Sequence, residues 1–97
     1  MKFVIEKPNA SVAFFFRRAG YAFQKRERDE MAFVRKLTDR PFPRFHLFVR
    51  VTDGKFHVNF HIDHKAASYE GSSMHSGEYE EGNQLLEDEA KRLQSLS

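Results

Sequence analysis

Residues 45–64 read FHLFVRVTDGKFHVNFHIDH, and the fold of the whole chain follows from them. Asp53-Gly54 sits between two runs in which apolar residues alternate with polar ones. A type I′ turn needs positive φ at both central residues, and Asp-Gly accepts that conformation, so the pair predicts a two-residue hairpin. Such a turn also sets the register. Thr52 then faces Lys55, Val51 faces Phe56, Arg50 faces His57 and Val49 faces Val58. Further out, Phe48 faces Asn59, Leu47 faces Phe60, His46 faces His61, Phe45 faces Ile62 and Arg44 faces Asp63. Because side chains alternate along a strand, one face collects Phe45, Leu47, Val49, Val51, Phe56, Val58, Phe60 and Ile62. The other collects Arg44, His46, Phe48, Arg50, Lys55, His57, Asn59, His61 and Asp63. The first face is expected to be buried and the second to meet solvent or a partner.

Upstream, residues 2–6 (KFVIE) suit a short strand ended by Pro8. Asn9 is the expected helix cap, and residues 10–19 carry Val12, Phe15, Phe16 and Ala19 at helical spacing. Phe14 is expected to widen that stripe, and Gly20 to stop the helix behind Arg17 and Arg18. Residues 21–28 and 31–37 suit two more strands joined by an exposed turn, although QKRERDEM also fits a helix. The prolines of residues 38–44 (TDRPFPR) make that segment a loop. Residues 65–77 form a long polar connection holding His75, a kind of loop that is usually functional or mobile. Residues 78–96 predict a second helix with a stripe of Leu86, Ala90 and Leu93, acidic early and basic late.

Together these elements predict one α+β domain over residues 1–97: a two-layer sandwich in which two helices pack on one face of a four- to five-stranded, mainly antiparallel sheet. Eleven phenylalanines and no tryptophan supply the bulk of a thin core. The absence of cysteine excludes disulfides, thiolate chemistry and cysteine zinc sites. No apolar run is long enough for a membrane span, and a charge interrupts the apolar patch at the start, so a cytoplasmic protein without a membrane partner is expected. The net charge of +2 hides an asymmetry: residues 1–50 carry twelve Lys/Arg against five Asp/Glu, residues 51–97 four against nine. A basic first half suits a polyanionic or acidic partner, or simply the acidic last helix lying near basic strands.

The polar face supports three readings. As a nucleic-acid surface, with RNA favoured over DNA, it offers Arg44, His46, Arg50, Lys55, His57 and His61 around Phe48, with Asn59 as an amide. Arg17, Arg18, Lys25, Arg26, Arg28, Arg35 and Lys36 extend the positive field. As a metal site, possibly hydrolytic, it offers His46 directly across from His61, with Asp63 beside them and His75 able to descend from the loop; zinc is the implied ion. His57 lies about 13 Å along the strand from His61 and is outside that cluster. As a protein-interaction or dimerisation face, it offers Phe48 as an anchor. No residue pattern places a nucleophile or a phosphate-cradling loop, so enzymatic activity stays open.

Overall fold

The Asp53-Gly54 turn has φ of 57° and 75° at its two residues, the backbone a type I′ turn requires. This computed structural model describes residues 1–64 and 83–97. The turn joins β4 (Arg44–Thr52) to β5 (Lys55–Asp63), and all nine cross-strand pairs match the register that the turn dictates. The other described elements are β1 (Lys2–Ile5), α1 (Val12–Arg18), β2 (Ala22–Glu27), β3 (Glu30–Lys36) and α2 (Gln84–Ser95). The strands form one antiparallel sheet in the order β1-β5-β4-β3-β2. The central hairpin is thus flanked by β1 on one side and by the β3-β2 hairpin on the other. Residues 22–27 are strand, which removes the helical alternative for that segment.

Burial follows the alternation. Phe45, Leu47, Val49, Phe56, Val58, Phe60 and Ile62 are buried, while Val51, beside the turn, is exposed and departs from the expected pattern. Phe15 and Phe16 of α1 and Leu86, Ala90 and Leu93 of α2 join those strand residues in one core cluster. Aromatic packing is dense there: Phe16 stacks on Phe33 at 5.2 Å, and Phe15 meets Phe56 edge-on at 5.7 Å. α1 leads into β2 at one sheet edge, and α2 lies along β1 at the other.

Three local expectations need correction. The helix cap is Ser11, whose side chain accepts from the Phe14 N–H at 3.3 Å; Asn9 lies outside the helix. Phe14 is 53% exposed rather than part of the core stripe. At about 100° per residue it points about 150° away from the centre of the Val12, Phe15, Phe16 and Ala19 stripe. It lies instead under the Arg18 guanidinium, 5.6 Å away. The second helix begins at Gln84 behind an Asn83 cap, and residues 78–82 of the expected span lie outside the described residues. Gly20 does stop α1, with φ of 98° and its N–H donating to the Arg17 carbonyl.

The helices are tied together by one buried polar network. The Tyr21 hydroxyl donates to Glu89 Oε2 at 2.6 Å. Arg92 donates to both Glu89 oxygens at 2.9 Å and reaches the Ala19 carbonyl at 2.7 Å, at the end of α1. Burial pushes the Glu89 carboxyl up, but the bonds from Arg92 and Tyr21 outweigh it and hold the group below its ordinary value. Burial, then the Glu89 bond and charge, push the Tyr21 phenol far up. No helix among the described residues is long and apolar enough to cross a membrane.

Candidate functional site

The sheet face away from the core carries the polar set, every member exposed or half-buried. Cross-strand pairing sorts it into rows. One row holds Arg44 and Asp63, the next His46 and His61, the next Phe48 and Asn59 with Lys2 of β1, and the next Arg50 and His57 with Glu30 of β3.

The first two rows converge on one carboxylate. His46 Nδ1 lies 2.9 Å from Asp63 Oδ2, and His61 Nε2 lies 2.8 Å from Asp63 Oδ1. The Arg44 Nε–H donates to Asp63 Oδ2 at 3.2 Å, and the Arg44 guanidinium rests on the Phe42 ring at 4.5 Å. Burial pushes the Asp63 carboxyl up. The bonds from His46 and His61, with their charge, prevail and hold it far below the usual carboxylate range. One donor atom from each of His46, His61 and Asp63 lies within 4.8 Å of the other two. On its other side, His46 Nε2 meets Gln24 Oε1 at 3.0 Å. His46 thus has a polar partner at each ring nitrogen, Asp63 at Nδ1 and the Gln24 amide at Nε2. Phe48 buttresses the pair, its ring centroid 4.5 Å from that of His46 and 6.0 Å from that of His61.

Phe48 also borders a shallow groove of about 280 Å³, lined further by Lys2, Glu30, Arg50, His57 and Asn59. The residues expected to act together thus divide. Arg44, His46, His61 and Asp63 form the carboxylate cluster, and Arg50, His57 and Asn59 belong to the groove. Lys55 pairs with Glu6 at 3.2 Å near the turn. His75 lies outside the described residues.

Two contributors were not foreseen. Gln24 reaches His46 because the β2–β3 ladder shifts register between Phe23 and Lys25, leaving Gln24 as the extra residue. A bulge re-aims a side chain in this way, and no sequence signal marked it. Lys2 reaches the groove through the pairing of β1 with β5, a long-range contact without a local signature. The Arg44–Asp63 contact was legible, since the hairpin register places the two opposite each other.

Comparison with protein-family models, with curated proteins and with solved structures gives no match.

Proposed function

We propose that this protein is a divalent-metal-binding module, with His46, His61 and Asp63 as ligands and zinc as the best-suited ion. The observation that carries the reading is the convergence of three donor atoms, two imidazole nitrogens and a carboxylate oxygen, within 4.8 Å of one another. Zinc takes such N and O donors at about 2.0–2.2 Å. Two donors on one tetrahedral ion then stand about 3.3 Å apart; the 2.8 and 2.9 Å contacts, each to a different Asp63 oxygen, would open slightly, and a pair as wide as 4.8 Å would close by up to about 1.5 Å, a shift within reach of side-chain rotation.

The surroundings suit the role. With Gln24 Oε1 accepting from the His46 Nε2–H, the Nδ1 lone pair is turned toward the cluster, the kind of outer contact that orients a metal-bound imidazole. Arg44 helps hold the carboxylate through Oδ2, the oxygen that His46 also meets. All three ligands sit on neighbouring interior strands of the sheet, so their positions are set by the ladder rather than by a loop. Three protein ligands leave a fourth position for water or a substrate, the composition of a catalytic rather than a closed structural centre. Water bound there would be acidified toward neutral pKa, which makes hydrolysis the reaction class to examine first.

The test uses full-length protein prepared without a histidine tag. Titration with zinc chloride in a calorimeter should show one equivalent bound by wild type and by His57→Ala, and none by His61→Ala or Asp63→Asn. Zinc at about 100 times Kd stabilises a native state by about 2.7 kcal/mol, so wild-type Tm should rise by roughly 10–20 °C. Wild type that binds no zinc and melts unchanged in its presence ends the reading, as does equal loss of binding in His57→Ala.

A further inference from the structure

The groove next to the histidine cluster is chemically distinct from it. Lys2, Arg50 and His57 bring three groups able to carry positive charge, against the one carboxylate of Glu30. Arg50 stands directly across the ladder from both Glu30 and His57, yet it forms no ion pair or side-chain hydrogen bond among the described residues, and neither does Lys2. Their donors are therefore unspent. An ammonium offers three N–H groups and a guanidinium five in a fork that matches phosphate oxygens. Asn59, between Lys2 and Phe48 in its row, adds an amide that both donates and accepts. Phe48 adds an aromatic surface on the polar face of the sheet, packed against the histidine rings, while Phe3, which also lines the groove, packs edge-on against Phe60 of the core.

We infer that this groove binds nucleotide units, with a base stacked on Phe48, its polar edge on Asn59, and the phosphate on Arg50 and Lys2. Phe48 and Arg50 are two residues apart on one strand face, a spacing of about 7 Å that spans a base and the phosphate beyond its sugar. A volume of about 280 Å³ lies just under the roughly 300–1,000 Å³ of drug-sized ligand sites, which is room for one unit rather than a duplex. An unstacked base against an aromatic ring, with cations on the backbone, is how single strands are held on open sheets. The basic character of residues 1–50 gives the face a favourable long-range field for such a ligand. None of the three proposed metal ligands lines the groove, so this inference stands apart from the metal reading.

A free nucleotide and a strand of RNA share this chemistry, and two arms of one experiment separate them. A fluorescein-labelled single-stranded RNA octamer is titrated with full-length protein in a chelating buffer, and AMP is then added as competitor. Chelation removes the metal centre from the result. The octamer should bind at 50 mM salt and weaken about sevenfold at 200 mM, as two phosphate contacts on a single strand require. Phe48→Ala should cost about five- to 140-fold, the effect of one lost base stack. Arg50→Ala, at an exposed position that leaves the fold intact, should weaken binding and lower the salt slope by about 0.7. Glu30→Gln should tighten it. Displacement by micromolar AMP assigns the groove to free nucleotides, and resistance to AMP assigns it to strands; both support the inference. No binding at low salt, equal competition by an acidic peptide, binding that needs zinc, or binding unchanged in both Phe48→Ala and Arg50→Ala overturns it.

Discussion

Replacing Tyr21 by Phe tests the network that joins the two helices, because it removes one oxygen and leaves the ring. The ring keeps its edge-on contact with Phe16, at a centroid distance of 5.9 Å. What disappears is the 2.6 Å bond to Glu89. A buried hydrogen bond to a charged partner contributes about 1.5–3 kcal/mol. Glu89 retains both bonds from Arg92, so the carboxylate is not orphaned and the loss should fall near the lower end, about 1.5–2 kcal/mol. For a domain of this size that lowers Tm by roughly 6–16 °C. Glu89→Ala should cost more, about 2–4 kcal/mol, because it strands the Tyr21 hydroxyl and Arg92 together; the value is held below that of a fully buried pair because Arg92 is 37% exposed. The pH dependence has a definite sign. The folded-state value of Glu89 is depressed, so its contribution is present above the ordinary carboxylate range near 4.3 and is lost as pH falls through the folded value. The Tyr21→Phe penalty should therefore shrink on acidification. Urea melts followed by far-UV circular dichroism measure it at pH 7 and at the lowest pH where both proteins fold. A loss below about 0.5 kcal/mol at pH 7, or a penalty that grows toward acid, refutes the reasoning.

The hairpin turn and the second helix give further checks. Gly54→Ala should cost about 1–2 kcal/mol in a urea melt from backbone conformation alone, since φ is 75° and no atom lies within 4 Å of the added methyl. Gly54→Asn, which accepts positive φ, should cost clearly less. Leu86→Ala should lose about 2–5 kcal/mol, whereas its exposed neighbour Leu85→Ala should stay within about 0.5 kcal/mol; similar losses at both positions would mean the helix face is misplaced.

The hairpin was legible almost completely, because a two-residue turn leaves no freedom in register once its ends are known. His46 opposite His61, and Arg44 opposite Asp63, follow from that turn alone. Legibility fell where non-local effects decide. The approach of Asp63 to both imidazoles depends on side-chain rotamers, the Gln24 contact on an irregular ladder, and the Lys2 position on a pairing between residues 57 apart in the chain. Phe14 is apolar in composition but lies off the stripe in helical angle and so stays exposed; Ser11 takes the cap because α1 starts at Val12, leaving Asn9 too far upstream. Glu89 looked like an ordinary acidic helix residue, and only the tertiary arrangement brings Tyr21 and Arg92 onto it.

The register shift at Gln24 has a second consequence, for the way this sheet meets other molecules. β2 is an edge strand, and an edge with a regular ladder is a template for adding foreign strands. Here the shift interrupts the ladder just before Lys25, Arg26 and Glu27, three exposed charges in a row. The opposite edge, β1, is four residues long, and the two nine-residue strands are both interior. Deleting Gln24 should therefore do two things at once: leave His46 without its outer contact, and straighten an edge that is now a poor seed for fibrils.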